Sequence, residues 1–187
     1  MRKKRILFCG EATYLNTGYA TYLREIMKRL HATGKYELAE FASYGEQGSP
    51  NASSIPWHFY GNLPVNDEQK EVYDSVPTNQ FGEWKFEAVL LDFLPDIVCD
   101  IRDFWMLEFQ ERSPFRPYYH WVIMPTVDAF PQNEQWLATF ANADGVFNYS
   151  DWGHDVLKKE SNGKVKCLGS APPSADAAYV PVEDKQE

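Results

Sequence analysis

An apolar run over 5–10, RILFCG, is followed by a helical stripe and then by a second apolar run over 36–42, YELAEFA. Tyr19, Tyr22, Leu23, Ile26, Met27 and Leu30 recur at helical spacing, with Thr21, Arg24, Glu25, Lys28 and Arg29 on the opposite face. Asn16 or Thr17 can cap the start of this helix, and Gly34 suits a left-handed stop. Strand, helix and strand in that order predict a parallel pair joined by a right-handed crossover. That unit constrains everything after it, because a parallel pair needs both faces covered.

The remaining chain repeats the alternation. Further strands are predicted over 55–60, 96–101, 118–124, 145–149 and 164–168, and helices over 84–94, 133–141 and 151–160. Pro95 ends the first of these helices, and Ser150 or Asp151 caps the last. Residues 45–54 form a polar loop rich in turn formers, and 67–81, which carries Pro77, reads as irregular or as a short helix. The pattern predicts a single α/β, Rossmann-like, doubly wound domain over 1–170, its mostly parallel sheet of about six or seven strands carrying helices on both faces. Residues 171–187, with Pro172, Pro173 and Pro181, read as an exit segment.

In such a sheet ligands bind beyond the carboxyl ends of the strands. The positions this selects are Gly10-Glu11, Ser43-Tyr44, Arg102-Asp103, Pro125 to Asp128, Ser150-Asp151 and Gly169-Ser170. The first loop, CGEATYLNTGYA, offers Gly10 for a sharp exit from the strand and Gly18 for close backbone approach at a helix N-terminus, where free N–H groups favour anions. A plain connecting turn is the competing reading. Its glycine spacing fits neither G-x-G-x-x-G nor G-x-x-x-x-G-K-[ST], so neither a dinucleotide nor a P-loop site is supported. Arg102, between Asp100 and Asp103, could orient a sugar or phosphate, or form a self-satisfied ion cluster. Asp128 is the best-placed carboxylate for base work, unless it only closes a turn.

Several classes are disfavoured. A net charge of -9 leaves no broad basic face for nucleic acid, and the one cationic cluster, Arg2-Lys3-Lys4-Arg5, flanks the first strand. No window is apolar enough to span a membrane. Cys9, Cys99 and Cys167 are odd in number and scattered in apolar runs, which points to reduced core thiols in a cytoplasm. None of His31, His58, His120 and His154 has metal-ligand spacing, so no metal is expected, and His120 reads as a structural strand residue. No nucleophile elbow or catalytic triad is present. Aromatics, at 16%, exceed what the apolar runs use, so some are expected to line a groove.

Four segments in order carry a family resemblance. RILFCGEATYLNTGYATYLREIMKRLHATGKYELAEF resembles the opening of retaining GT-B glycosyltransferases of group 1 (family 4). LLDFLPDIVCD resembles that family's "L...PDIVH" strand, and ANADGVFNYSDWGHDVLKK its "ADxVxxxSxWxxxxL" segment. KVKCLGSAPPSADAAYVPV stands where the family has "V..NGVD...F.P", with Asp176 at the acidic position. Where the family often carries a histidine after the strand over 118–124, this chain reads PTVDAF, which leaves Asp128 to take the polar, candidate catalytic role.

The resemblance implies an acceptor-holding N-terminal half of a two-domain enzyme that moves a sugar from a nucleotide-sugar donor. It implies a C-terminal donor-binding domain as partner, no metal, and no cofactor bound by this chain. It also implies a cleft-facing loop of Gly10, Glu11, Asn16, Thr17, Gly18 and Tyr19, joined by Arg102, Asp103 and Ser150. The half alone is expected to be inactive, because most of the donor site lies elsewhere. The other reading is a non-catalytic binding module of the same fold, self-associating through aromatics such as Tyr14, Tyr19, Trp57 and Trp105.

Overall fold

The computed structural model describes residues 2–174, so Asp176 and the other residues of the exit segment from 175 to 187 lie outside the described residues. Among the described residues seven strands form one sheet: β1 (Lys4–Glu11), β2 (Tyr36–Ser43), β3 (His58–Gly61), β4 (Ile97–Asp100), β5 (His120–Ile123), β6 (Gly145–Asn148) and β7 (Cys167–Ser170). Their order is β3-β2-β1-β4-β5-β6-β7, and every neighbouring pair is parallel. The chain therefore builds outward from β1 through β2 to β3, then returns to β4 on the other side of β1. The β1/β4 junction is the switch point at which a doubly wound sheet opens a crevice.

The described residues also form five α-helices around the sheet: α1 (Gly18–Ala32), α2 (Asp67–Ser75), α3 (Glu83–Phe93), α4 (Glu134–Asn142) and α5 (Asp151–Glu160). Alternation along β1 sends Leu7 and Cys9 to one face, with Phe86 of α3, Phe140 of α4 and Leu157 of α5. Ile6 and Phe8 pack on the other face against Leu23 and Met27 of α1. Trp121 is fully buried at the centre of the larger cluster.

Local sequence explains the boundaries. Thr17 rather than Asn16 caps α1, its side chain accepting from the Ala20 N–H at 3.2 Å, and Gly34 takes a φ of 64° beyond the last turn. The segment left open between irregular and helical, 67–81, is α2 followed by a 3-10 turn from Pro77. Asn66 caps α2 by accepting from Gln69 N at 2.9 Å, while Gln69 reaches back to the Val65 N–H at 3.1 Å.

Two strands begin about three residues later than their apolar runs suggest. A 3-10 turn over Pro50–Ala52 keeps the chain coiled to Ile55, whose N–H bonds Ala52 O at 3.1 Å, so β3 starts at His58. The C-terminal turn of α5 extends through Gly163, whose N–H reaches Lys158 O at 3.2 Å, so β7 starts at Cys167. His120, read as a structural strand residue, opens β5 and is exposed. The basic start does flank β1: Arg2 and Lys4 meet Asp96 at 2.9 and 3.3 Å, and Arg5 meets Glu37 at 3.1 Å.

Candidate functional site

The loop from β1 to α1 is tied down from three directions. Ala12 N–H bonds Ser43 O at 3.0 Å, Tyr14 Oη accepts from Glu46 N at 2.9 Å, and Arg24 of α1 donates to Thr13 O at 2.9 Å. Beneath it, Glu40 of β2 is buried and accepts from Thr13 N (3.2 Å), Thr13 Oγ1 (2.6 Å) and Trp57 Nε1 (2.6 Å). Burial raises the Glu40 carboxyl above its ordinary range, and those three donors hold part of the rise back. A loop held this way offers a fixed surface rather than a flexible one.

The helix turn to which that loop leads, the N-terminus of α1, forms one side of an open cleft of about 550 Å³, lined by Gly18, Tyr19, Tyr22, Thr126, Val127, Tyr149 and Pro173. It sits at the carboxyl edge of the sheet, beside the switch point. Tyr19 is its central polar group. Its hydroxyl donates to Asp103 Oδ1 at 2.8 Å and, having one proton, accepts from Thr126 Oγ1 at 2.6 Å. Three chain segments, the N-terminus of α1 and the loops after β4 and β5, thus meet on one oxygen. The phenol is pushed up to about 12, chiefly by burial, with the Asp103 and Glu11 carboxylates adding to it and Thr126 opposing it.

Tyr149 and Tyr22 make the aromatic wall, with ring centroids 5.2 Å apart and Tyr19 6.4 Å from Tyr149. Tyr22 Oη donates to Ala171 O at 2.5 Å. Tyr149 Oη is buried and has no partner among the described residues. Burial pushes that phenol up as well.

The structure distributes the sequence candidates unevenly. Gly18, Tyr19 and Asp103 come together at the cleft, and Glu11 stands behind them, its carboxylate accepting from Thr17 Oγ1. Gly18 leaves open space where a Cβ would be, with nothing within 4 Å. Asn16 is exposed and takes no part in the cap. Asp128 is exposed, directly after Val127 of the lining, and Ser150 caps α5 by accepting from Gly153 N at 3.0 Å.

Two candidates are placed elsewhere. Gly10 does not make a sharp exit, because β1 continues through it to Glu11. A Cβ there would stand 2.9 Å from Leu23 Cδ2 and 3.2 Å from Ile101 O, so this glycine lets α1 pack on the sheet. Arg102 is 1% exposed and faces away from the cleft's groups. It pairs with Asp100, Nε to Oδ1 at 2.7 Å, with Nη2 2.5 Å from the same oxygen, and Nη1 donates to Phe81 O at 2.6 Å. Trp57, expected on a sticky surface, is buried on Glu40; among the described residues Tyr44, Trp105, Tyr118, Phe130 and Trp152 are the large exposed aromatics.

Tyr22, Tyr149 and Pro173 belong to the cleft and were not among the sequence candidates. Tyr22 was legible only as one position of an apolar stripe. The available signal is chemical: two tyrosines three residues apart at the start of a core-facing stripe carry polar tips that a dry core would have to satisfy. A second cleft of about 400 Å³, lined in part by Lys3, His31, Trp57 and His58, lies at the amino edge, the end parallel sheets do not use for ligands.

No family model and no curated protein matches the sequence. Solved structures do match over most of the chain. Arabidopsis thaliana UGT89C1, solved with UDP-L-rhamnose, is 10% identical with a TM-score of 0.54, over 98% of this chain and 56% of that one. Sucrose-phosphate synthase of Thermosynechococcus elongatus is 12% identical with a TM-score of 0.53, over 93% and 91%. The fold is that of a GT-B domain. UDP-GlcNAc 2-epimerase of Methanocaldococcus jannaschii shares it, at 13% identity and a TM-score of 0.52, over 90% of this chain and 45% of that one. The chain thus spans about half the length of the first and third of these GT-B-like structures, and identity this low speaks to fold alone. Among the described residues no helix is long and apolar enough to cross a membrane, and no group of His, Cys, Asp and Glu is placed to hold a metal ion.

Proposed function

We propose that this chain is the acceptor-holding half of a glycosyltransferase that takes its sugar from a nucleotide-sugar donor. The observation that carries the reading is the cleft itself: three segments from both sides of the β1/β4 switch point converge on Tyr19 Oη beside an open, tyrosine-walled space. UGT89C1, one of the similar structures, was solved with UDP-L-rhamnose, which agrees with that use of the fold. In this reading residues 1–170 are the acceptor domain and 171–187 lead to a donor-binding domain. Gly18, Tyr19, Asp103 and, behind them, Glu11, Asn16 and Thr17 shape the acceptor face, and Asp128 is the carboxylate available as base.

The donor-binding half would supply the groups that hold the diphosphate, so no metal or cofactor is assigned to this chain, and its three free thiols fit a reducing cytoplasm. One observation favours a binding module instead. Each carboxylate at the cleft is engaged, Asp103 with Tyr19 and Glu11 with Thr17, and Asp128 sits outside the lining. An epimerase half is another use of this fold, since UDP-GlcNAc 2-epimerase is among the similar structures.

The deciding experiment incubates the chain with UDP-glucose and separately with UDP-GlcNAc, and follows UDP release. It then follows NMR shifts of Tyr19 and Tyr149 on adding sugars. No turnover together with saturable shifts at the cleft is the expected result. Turnover by this chain alone would overturn the half-enzyme assignment, and shifts confined to the amino-edge cleft would overturn the site.

A further inference from the structure

The acceptor reading leaves open what chemistry the cleft accepts, and the distribution of charge around it is specific on that point. Among the described residues that line it there is no lysine, arginine or histidine. The two arginines placed to reach the carboxyl edge are committed: Arg24 holds the carbonyls of Thr13 and Leu15 at 2.9 and 3.4 Å, and Arg102 is sealed on Asp100 and Phe81 O. Among the described residues, three carboxylates stand at this edge. Asp103 touches Tyr19 Oη, Glu11 touches the Thr17 cap, and Asp128 follows Val127.

The N-terminus of α1, which would otherwise attract an anion, already has the Glu11 carboxylate bonded to its capping side chain. An incoming phosphate would meet carboxylates with no cation among the described lining residues to offset them, in a partly desolvated space where repulsion is stronger than in water. The walls, by contrast, suit a polyol. Tyrosine faces are electron-rich and favour the slightly positive C–H side of a sugar ring. Hydroxyl partners are available at Thr126 and at Tyr19, both of which line the space.

Resting on the acceptor reading above, we propose that the cleft selects an uncharged hydroxylic acceptor, a free sugar, glycoside or cyclitol, and rejects its phosphate ester. The same fold serves a sucrose-phosphate synthase, so the distinction is one of side chains, not of architecture.

The test uses the full chain and matched pairs of probes: glucose and glucose 6-phosphate, fructose and fructose 6-phosphate, inositol and inositol 1-phosphate. Binding is read from NMR shifts of Tyr19 and Tyr149 at constant ionic strength. For at least one pair the neutral member is expected to bind about tenfold or more tighter than its ester, a difference of the size one added like-charge contact gives. In the double variant Glu11→Gln, Asp103→Asn that ratio is expected to fall to about threefold or less. An ester that binds as well as its parent overturns the inference while leaving a sugar-binding cleft in place. A ratio that survives in the double variant overturns the electrostatic cause. Should no member of any pair bind, the acceptor reading itself falls, and the inference with it.

Discussion

Asp100 and Asp103 stand three residues apart at the end of one strand, and the structure gives them opposite fates. Asp100 is fully buried and accepts from Arg102 Nε at 2.7 Å, from Gln110 Nε2 at 2.9 and 2.8 Å, and from Trp121 Nε1 at 2.7 Å. Asp103 holds one tyrosine hydroxyl at the edge of an open cleft. The first is a closed polar knot whose partners leave it nothing to offer a ligand. The second belongs to a network that ends in solvent. The difference separates groups that hold the fold from groups free to act, and it does so within a single tetrapeptide.

The strongest way to break that comparison is to truncate each carboxylate in turn. Asp100→Ala strands the Arg102 guanidinium in the core, and a loss of about 3–5 kcal/mol in urea unfolding is expected. Asp103→Ala leaves Tyr19 its bond to Thr126 and solvent nearby, so about 1 kcal/mol or less should go. Equal losses would mean that Asp103 is as structural as Asp100, and the cleft would lose its best polar anchor.

The same contrast runs through the opening glycines. Gly10→Ala forces a Cβ to 2.9 Å from Leu23 Cδ2 and 3.2 Å from a backbone oxygen that cannot swing away. An overpacking loss of about 1–3 kcal/mol is expected by the same unfolding measurement. A neutral result would show that α1 can shift off the sheet, and the packing role assigned to Gly10 would be withdrawn. Smaller again is Tyr19→Phe, which removes one hydroxyl from two partners that water can reach. About 1 kcal/mol of stability should be lost, while sugar binding weakens about five- to tenfold. Stability loss without any change in binding would make Tyr19 a strut and nothing more.

How far the sequence alone reaches follows the same division. Strand–helix alternation and the α1 stripe are local patterns, and each is visible as one, while the caps narrow only to Asn16 or Thr17 and to Ser150 or Asp151 before the structure selects Thr17 and Ser150. The late starts of β3 and β7 come from turns that continue past a helical segment, at Ile55 and Gly163, where hydrogen bonding rather than hydropathy sets the boundary. Side was the harder matter. DIRD shows three charges in alternation, but which of them is buried depends on Gln110 and Trp121, supplied from ten and twenty-one residues away. Likewise Tyr22 and Tyr149 become neighbours only because the sheet order brings β6, three strands from β1, under the α1 that follows β1. No window of the sequence contains that pairing.

Gly18→Val is the substitution with the smallest expected effect on the fold and the largest on the cleft, which makes it the sharpest separation of the two roles. Gly18 lies outside the left-handed region, and a Cβ added there meets nothing within 4 Å, so neither strain nor overlap opposes a side chain. Valine in a first helical turn costs only tenths of a kcal/mol in propensity, and stability should stay within about 0.5 kcal/mol of the parent. The added methyls would instead project into the space beside Tyr19, where a ligand is proposed to approach the backbone. Loss of the sugar-induced shifts at Tyr19 and Tyr149, with an unchanged urea midpoint, is the expected pair of results. A fall in stability with binding retained would place Gly18 with Gly10 among the residues of the scaffold, and the β1–α1 loop would have to be read as a connection rather than as a site.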